Sequence, residues 1–194
     1  MMKPPPEYWG KRLFDIVCVL ILSLFCIPLF LIIGIAIKLD SHGTMFYKHP
    51  RVGKNGTLFK MWKFRTMVSD ADKLGSGLTQ HGDPRITRVG KFLRRASLDE
   101  LPQIINVLLG EMSIVGPRPE IPEIVEDYTS EQREALTVRP GITGLTQVNG
   151  RDNLPIKEKL EMERKYVQNL TPWLDLKILF LTLPAIISGE GTRY

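Results

Sequence analysis

A long uncharged apolar run dominates the N-terminal part of the chain. Residues 16–37 form a stretch of 22 residues without a charge, bounded by Asp15 and Lys38. A helix that crosses the hydrocarbon core of a bilayer needs about 20 apolar residues, so this run is long enough. No small-residue cleavage site follows it, as one would in a secretory signal peptide. The pattern therefore predicts a membrane helix.

Two features of the run bear on its topology. Pro28 lies near its middle, and a proline in a helix interior removes a backbone hydrogen bond and kinks or breaks the helix. Cations flank both ends, Lys11 and Arg12 on one side and Lys38 on the other, so the positive-inside rule selects no orientation. This symmetry favours a Pro-kinked re-entrant helix whose two ends share the cytoplasmic side. A simple spanning anchor is the commoner alternative.

The remainder of the chain shows strand-like and helical patterns in alternation. Residues 45–67 predict a β-hairpin with its turn at 53–56, and 146–151 predict a short strand after a glycine-rich loop at 139–145. Helical spacing predicts helices over 90–95, 121–128, 131–137, 156–168 and 172–188. The last helix is strongly apolar but too short to span, so we expect it at the membrane interface, with packing in a soluble core as the alternative. The fold class predicted is α+β, mainly helical, with a membrane-inserted unit at 1–40 and a second unit at 41–194.

A further helix is predicted between two capping residues, Ser97 and Gly110. Its apolar positions fall on one face at helical intervals: Leu98, Leu101, Ile104, Ile105, Leu108 and Leu109. A rigid turn with prolines at 117 and 119 follows it. This stretch, 91–119, also contains the adjacent carboxylates Asp99 and Glu100, which makes it the organising segment of the sequence.

Asp99 and Glu100 at the start of this helix have two competing interpretations. In a capping box, Ser97 caps the helix and Glu100 reaches back to the Ser97 amide. Alternatively, the free N–H groups and dipole of the helix N-terminus keep Asp99 ionised, as a nucleophile or metal ligand. Pro102, one turn in, favours the second, because a purely structural helix disfavours proline there. Adjacent side chains diverge by roughly 100° around a helix, so we expect the two carboxylates to have different roles.

Charge is unevenly distributed along the chain, whose net charge is +5. Residues 41–110 contain 12 Lys and Arg against 5 Asp and Glu, whereas 111–194 contain 10 against 13. A basic half beside a carboxylate pair indicates an anionic partner, such as phosphates, nucleic acid or an anionic membrane surface. No RNA-binding or helix-turn-helix signature accompanies the cationic and aromatic segment 60–65, which disfavours nucleic acid. Both cysteines lie in the apolar run and the histidines are scattered, which excludes a disulfide framework and a Cys/His zinc site.

Six short blocks occur in a characteristic order along the chain. They are KRLFD at 11–15, KFRTM at 63–67, SLDELPQ at 97–103, GPRP at 116–119, RPGITG at 139–144 and QVNGR at 147–151. In these blocks the sequence resembles the monotopic phosphoglycosyl transferases of the bacterial sugar transferase superfamily, over nearly its whole length. The resemblance is to the catalytic core, without the additional N-terminal membrane helices of longer members. One departure lies at the expected break of the membrane helix, where the family often has Ser-Pro and this chain has Ile27-Pro28.

This resemblance implies an activity and roles for particular residues. A phosphosugar would pass from a UDP-sugar to a polyprenol phosphate at the cytoplasmic face of the bacterial inner membrane, with release of UMP and a requirement for Mg²⁺. Asp99 would be the nucleophile that forms a covalent phosphosugar intermediate, and Glu100 would assist as an acid/base group; both are candidate metal ligands. The candidates for contacts to phosphate or nucleotide are Lys63, Arg65, Arg94, Pro117, Arg118 and Arg151. The implied partners are the UDP-sugar, the polyprenol phosphate and membrane lipid, without nucleic acid, and a homodimer is compatible with them.

The residue types agree with this chemistry, but two rival functions remain. Both substrates carry phosphate, so a basic pocket and a divalent cation must neutralise charge before one anion attacks another. A membrane-bound metal-dependent phosphatase or pyrophosphatase would instead release free sugar phosphate. A non-enzymatic, membrane-anchored basic module would show salt-sensitive binding that is indifferent to Asp99. No motif marks the residues that would distinguish one sugar from another.

Overall fold

The computed structural model describes residues 7–71, 74, 82–150 and 153–188. Its α-helices are α1 (Lys11–Asp40), α2 (Arg88–Arg95), α3 (Ile104–Leu109), α4 (Pro122–Glu126), α5 (Leu145–Val148), α6 (Ile156–Gln168) and α7 (Pro172–Ser188). Its strands are β1 (Phe46–Val52), β2 (Leu58–Phe64), β3 (Ser113–Val115) and β4 (Gly141–Thr143). Short 3₁₀ helices occupy Lys54–Gly56, Leu98–Gln103 and Gln132–Thr137. The predicted α+β class, mainly helical, is confirmed.

Helix α1 is a single helix of 30 residues that includes Pro28. It is long and apolar enough to cross a membrane by length and composition. A minority of its side chains, among them Val19, Ile33 and Ile37, are buried against the rest of the molecule, whereas most of its leucines and isoleucines are exposed. The break expected at Pro28 does not interrupt the helix, and a re-entrant path stays a prediction, as does the division of the chain at residue 40.

The predicted hairpin is confirmed. Strands β1 and β2 pair antiparallel, with Phe46 opposite Phe64 and Val52 opposite Leu58. Cross-strand partners lie on the same face of a sheet and side chains alternate between faces. Phe59 and Met61 of β2 face the main core cluster, which also includes Ile104 of α3. The hairpin therefore packs one face onto the segment that carries the carboxylate pair.

The strand predicted over 146–151 is wrong. Residues Leu145–Val148 form α5, and the strand lies earlier, where β4 pairs in parallel with β3. Strand β4 has only three residues, and it forms because β3 pairs with it, so its own sequence did not indicate a strand. A Cβ atom on Gly141 would overlap the backbone nitrogen of Gly116, so the glycine-rich loop is needed for this close approach.

The helix expected between Ser97 and Gly110 is divided into two parts. A 3₁₀ helix, Leu98–Gln103, precedes α3, because Pro102 lacks the N–H that a continuous α-helix would need. Ser97 has a left-handed backbone, φ 55°, and forms no side-chain cap, so the predicted capping box is wrong. Gly110 is confirmed as the C-cap, with φ 84°. The predicted apolar face is also partly wrong, since Leu108 and Leu109 are exposed.

The two C-terminal helices, α6 and α7, have the bounds that the sequence predicted. Helix α7 buries Asp175 and Ile178, while Trp173, Phe180 and Ile187 remain largely exposed. One face of α7 therefore packs in the core, and the position of its other face at a membrane interface stays a prediction. The predicted helices over 121–128 and 131–137 are present as the shorter α4 and the 3₁₀ helix Gln132–Thr137. The predicted short basic helix is α2, whose first turn is capped by the side chain of Thr87.

Candidate active site

The two adjacent carboxylates converge on a single lysine. Lys63 of β2 places its Nζ 2.8 Å from Oε1 of Glu100 and 3.8 Å from Oδ2 of Asp99. Arg118, from the proline turn, has its Nη2 3.7 Å from the same Glu100 oxygen. Both carboxylates therefore contact one cation from a neighbouring strand, and the expectation that they have different roles stays a prediction. Together these four side chains form a compact group of alternating charge.

Burial dominates the electrostatics of Asp99, whose exposure is only 8%. Burial raises the pKa of Asp99 above its ordinary value; Lys63 and Arg94 oppose this rise, and Glu100 adds to it. The helix N-terminus is thus not what controls ionisation here, contrary to the sequence-based expectation. Arg94 is itself oriented by a hydrogen bond from its Nε to Oγ1 of Thr66, 2.9 Å long. The neighbouring cations favour the ionised form of Asp99 and offset part of the effect of burial on its pKa.

The proline turn that carries Arg118 is fixed by backbone contacts. The Gly141 N–H donates to the carbonyl of Pro117 at 2.8 Å, which joins the turn to β4. The Arg118 N–H donates to Oε1 of Glu163 on α6 at 3.2 Å, and the Thr146 hydroxyl donates to the same oxygen. The guanidinium of Arg118 is therefore presented from a backbone that is held on both sides.

A small cleft opens beside these residues, with an empty volume of about 210 Å³. It is lined by Arg51, Met61, Glu100, Gln103, Arg118, Pro119, Gly141 and Ile142. A larger cleft of about 480 Å³ lies on the side of the turn that faces α6, and it is lined by Arg118 and Glu163 but by neither carboxylate of the pair. Of these two clefts, the smaller is the one that Glu100 lines.

The structure gathers some of the predicted site residues and leaves others elsewhere. Asp99, Glu100, Lys63 and Arg118 come together as described, and Arg94 is near enough to Asp99 to affect its pKa. The other predicted site residues are Arg65, Pro117, Arg151 and Pro28. Arg65 instead donates to the carbonyls of Ser41 and His42, at 2.8 and 2.6 Å, so these contacts bind it to the segment after α1.

Pro117 contributes its carbonyl to the bond with β4 and helps to shape the turn. Pro28 is an exposed residue of α1, and the residues around it in the helix are apolar. Arg151 lies outside the described residues.

The donor set fits a divalent cation that is completed by substrate. Within the described ranges, no group of three or more His, Cys, Asp and Glu side chains is placed to hold a metal ion by itself. Asp99 and Glu100 supply two adjacent carboxylates. Mg²⁺ in phosphoryl-transfer sites is typically held by one or two carboxylates together with substrate phosphates and water. The residues present therefore suit Mg²⁺ bound with a phosphorylated substrate.

A buried ionic cluster at the base of α1 was missed by sequence reasoning. Lys11 Nζ lies 2.6 Å from Oδ2 of Asp175 and 3.7 Å from Oδ1 of Asp15, and all three side chains are almost completely buried. Tyr8 and Tyr166 donate their hydroxyl hydrogens to Asp175 at 2.9 and 2.7 Å. The cluster joins α1 to α7, whereas the sequence showed Lys11 only as one of the cations that flank the apolar run.

Glu163 was also missed, and it leads to a prediction about pH. Burial raises the pKa of Glu163 to about 7, although hydrogen bonds from Thr146 and Arg118 oppose the rise. The folded protein then binds a proton that the unfolded chain releases near pH 4.5, so this side chain loses its stabilising effect as the pH rises from about 4.5 to about 7. Each pKa unit corresponds to about 1.4 kcal/mol, so we expect a relative loss of about 3 kcal/mol at most.

Thermal or denaturant unfolding of the wild type and Glu163→Gln across pH 5–8 checks this prediction. The free energy of unfolding of the wild type should fall relative to that of the variant as the pH rises, and the difference should level off above about pH 7.5. The matched control is Glu161→Gln, on the solvent side of the same helix, which should run parallel to the wild type. Parallel curves for Glu163→Gln and the wild type would contradict a raised pKa.

Comparison with known proteins gives consistent matches. The model of a family described as "Bacterial sugar transferase" matches residues 6–189. The exopolysaccharide production protein ExoY of Rhizobium meliloti is 39% identical over 198 residues, covering 94% of this chain and 88% of that protein. The undecaprenyl-phosphate glucose phosphotransferase of Komagataeibacter xylinus is 42% identical and the UDP-glucose:undecaprenyl-phosphate glucose-1-phosphate transferase of Escherichia coli is 44% identical. The matches cover 94% and 89% of this chain but only 37% and 39% of these two longer proteins.

Proposed function

The chain belongs to the bacterial sugar transferase family, and on this premise we propose that it transfers a phosphosugar from a UDP-sugar to a polyprenol phosphate. Two relatives are named for transfer to undecaprenyl phosphate, and one of them for UDP-glucose as donor. The observation that carries the proposal is the convergence of Asp99, Glu100, Lys63 and Arg118, of which Glu100 and Arg118 line one cleft. Carboxylates among cations suit a reaction in which both substrates are phosphorylated.

The chemistry proposed for Asp99 is nucleophilic catalysis in two steps. An Oδ atom of Asp99 attacks the phosphorus that carries the sugar, and the bond from that phosphorus to the UMP oxygen breaks, so UMP leaves with the electron pair. A phosphate oxygen of the polyprenol phosphate then attacks the same phosphorus. The aspartyl bond breaks, polyprenol diphosphate sugar forms, and the carboxylate of Asp99 is restored.

The cations supply electrostatic stabilisation in this scheme. Lys63 lies against both carboxylates and can move between them and a substrate phosphate, since its flexible ammonium group has three donors. Arg118 is presented by a fixed turn, which limits the entropy lost when its guanidinium binds phosphate oxygens. We propose Arg94 and Arg65 as more distant contributors to the positive field, and Arg151 stays a candidate for contact with phosphate. The contacts of Arg65 with Ser41 and His42 favour an indirect role for it.

Asp99 and Glu100 are the residues we propose to hold Mg²⁺, which when bound neutralises phosphate charge and polarises the phosphoryl group. Lys63 occupies a position between the carboxylates that a cation would favour. Glu100 has the more direct ion pair with Lys63, and Asp99 is the more deeply buried of the two carboxylates. We therefore assign positioning of the cation chiefly to Glu100 and the attack to Asp99.

We place the protein at the cytoplasmic face of the bacterial inner membrane. The exposed apolar side chains of α1 and of the outer face of α7 support membrane contact. A nucleotide sugar is made in the cytoplasm, and the acceptor is a lipid, so a site next to the cytoplasmic leaflet serves both substrates. A re-entrant α1, with both ends on that side, fits the cations at each end better than a spanning helix does.

The topology can be tested with single cysteines at the two ends of α1. In a variant without Cys18 and Cys26, we place cysteine at Trp9 or at His42, both exposed positions. An impermeant thiol reagent added to spheroplasts should label neither site, and it should label both in inverted membrane vesicles. Labelling of one site alone in spheroplasts would show that α1 crosses the membrane. Pro28→Ala, which restores a backbone hydrogen bond in the helix, should shift the population toward that spanning state.

The proposed function is tested by offering a panel of UDP-sugars with undecaprenyl phosphate to the detergent-solubilised protein. The expected result is UMP release that depends on the lipid and on Mg²⁺, with formation of a lipid-linked diphosphate sugar. Free sugar phosphate without lipid product would indicate a phosphatase or pyrophosphatase. No turnover with any donor, together with salt-sensitive vesicle binding unaffected by Asp99→Asn, would indicate a non-enzymatic binding module.

A further inference from the structure

We propose that Arg51 is a phosphate-binding residue of the site, which contacts the donor's diphosphate beside Arg118. The inference rests on the proposed function, and it adds a residue that lies outside the sequence blocks used above. Arg51 and Arg118 line the same small cleft, and Glu100 lines it with them. The cleft therefore has two guanidinium groups next to one carboxylate of the catalytic pair.

The register of the hairpin places Arg51 on the face that carries the site. Arg51 of β1 is paired with Phe59 of β2, so the two side chains lie on one face of the sheet. Met61 and Lys63 follow Phe59 at intervals of two and lie on that same face. Met61 lines the cleft and Lys63 contacts the carboxylate pair. Arg51 is thus the second cation that the hairpin directs toward this site.

A backbone contact holds Arg51 next to the proline turn. The N–H of Val52, which follows Arg51, donates to the carbonyl of Glu120 at 2.9 Å. Glu120 is separated from Arg118 only by Pro119. The hydrogen bond therefore joins β1 to the turn at positions one residue from Arg51 and two residues from Arg118. The proximity of the two arginines is therefore a property of the backbone and not only of flexible side-chain positions.

The guanidinium of Arg51 has one donor group that the residues described by the structure do not satisfy. Its Nε is buried and has no hydrogen-bond partner within the described part of the chain. Burial lowers the pKa of Arg51, and repulsion by Arg118 adds to this effect, while Glu120 and Glu100 oppose it. A buried donor without an acceptor and a second cation nearby both destabilise the folded protein, so the arrangement favours binding of an anion.

Phosphate oxygens are the acceptors that suit two neighbouring guanidinium groups. A guanidinium donates two parallel N–H bonds to phosphate, and a diphosphate offers oxygens on two adjacent phosphorus atoms. The donor diphosphate and the lipid phosphate share this chemistry. We assign Arg51 to the donor because Glu100, which we propose to hold the cation bound with the donor, lines the same cleft.

Binding of UDP and UMP to Arg51→Met and Arg51→Lys tests this assignment directly. Measurements use the full-length protein in detergent with excess Mg²⁺, by titration calorimetry or ligand-induced change in melting temperature. For Arg51→Met we expect at least a tenfold rise in the Kd of UDP and a smaller change for UMP, which lacks the second phosphate. Arg51→Lys should lie between this variant and the wild type, since lysine keeps the charge and loses the paired donors.

The matched control is Lys60→Met, which removes a cation from the opposite, exposed face of the same hairpin. It should leave the affinity for UDP within twofold of the wild type. Without ligand, Arg51→Met should melt at the same temperature as the wild type or higher, because it removes a buried donor and a cation next to Arg118. A lower melting temperature with unchanged UDP affinity in both Arg51 variants would overturn the proposal and make Arg51 a structural residue.

Two further measurements are informative. One distinguishes the donor phosphate from the lipid phosphate as the ligand of Arg51, and the other tests the inference separately from the proposed function. If Arg51→Met raises the KM of undecaprenyl phosphate but leaves the Kd of UDP unchanged, the assignment to the donor is overturned in favour of the lipid phosphate. The binding measurement needs no turnover. Loss of UDP affinity in a protein that transfers no phosphosugar would therefore refute the proposed function and leave the anion site at Arg51 intact.

Discussion

Asp99→Asn should abolish turnover, with a fall in kcat by a factor on the order of 10⁴ or more. Asparagine keeps the shape of the side chain but has no carboxylate oxygen to attack phosphorus. Because burial raises the pKa of Asp99, the ionised side chain is costly to hold in this position, and its removal should not lower the melting temperature. A large loss of activity in a protein of unchanged stability is the combination expected for a nucleophile.

Detection of the proposed covalent intermediate on Asp99 tests this prediction directly. Incubation with a labelled UDP-sugar and no lipid, followed by proteolysis, should place the mass of a phosphosugar on the peptide that contains Asp99. UMP should appear before lipid is added, and initial-rate kinetics should be ping-pong. The adduct should be missing in Asp99→Asn and present in Asp127→Asn, a control at an exposed aspartate. Sequential kinetics without an adduct would instead indicate direct attack by the polyprenol phosphate.

Lys11→Met should be the most destabilising single substitution among those discussed. It leaves Asp15 and Asp175 buried without a cation, and removal of one partner from a buried ion pair costs about 3–5 kcal/mol. The hydroxyl groups of Tyr8 and Tyr166 cannot offset this cost, because they already donate to Asp175 in the wild type. Denaturant unfolding in detergent, with the yield of folded protein, measures this effect.

Two companion variants show whether the loss comes from unpaired charge. Lys38→Met removes the exposed cation at the opposite end of α1 and should change the free energy of unfolding by less than about 1 kcal/mol. Lys11→Met combined with Asp175→Asn removes one of the stranded carboxylates, so the double variant should be more stable than Lys11→Met alone. A Lys11→Met protein as stable as Lys38→Met would mean that the cluster does not hold α1 in place.

Local patterns in the sequence predicted the elements whose formation depends on near neighbours. The bounds of α6 and α7 follow from helical spacing between clear end signals, and the hairpin follows from two strand-like runs around a glycine turn. The proximity of Asp99 to Glu100 could be predicted because the two residues are adjacent in the sequence. In these cases the interactions that stabilise the structure lie within a few residues of one another.

The features that the sequence did not reveal depend on contacts between distant residues. Lys11 and Asp175 are 164 positions apart, and nothing near either residue indicates that both are buried. Strand β4 forms because it pairs with β3, and its own three residues are too few to show a strand pattern. Ser97 could not be recognised as left-handed, since serine is normally a good N-cap. Arg51 appeared as one cation among many until the register of the hairpin placed it beside Arg118.

The cluster around Lys11 also has a consequence for how the chain matures. The ribosome synthesises α1 well before α7. Asp175, the carboxylate that lies closest to Lys11, comes 164 residues after it in the sequence. Until α7 emerges, Lys11 lacks its nearest carboxylate, although Asp15 can already accept hydrogen bonds from Ser113 and Ile114 of β3. Contacts of such long sequence separation form late and slowly. Nascent chains stalled before Asp175 should therefore have an unfinished Lys11 cluster, and they should be degraded readily by proteases.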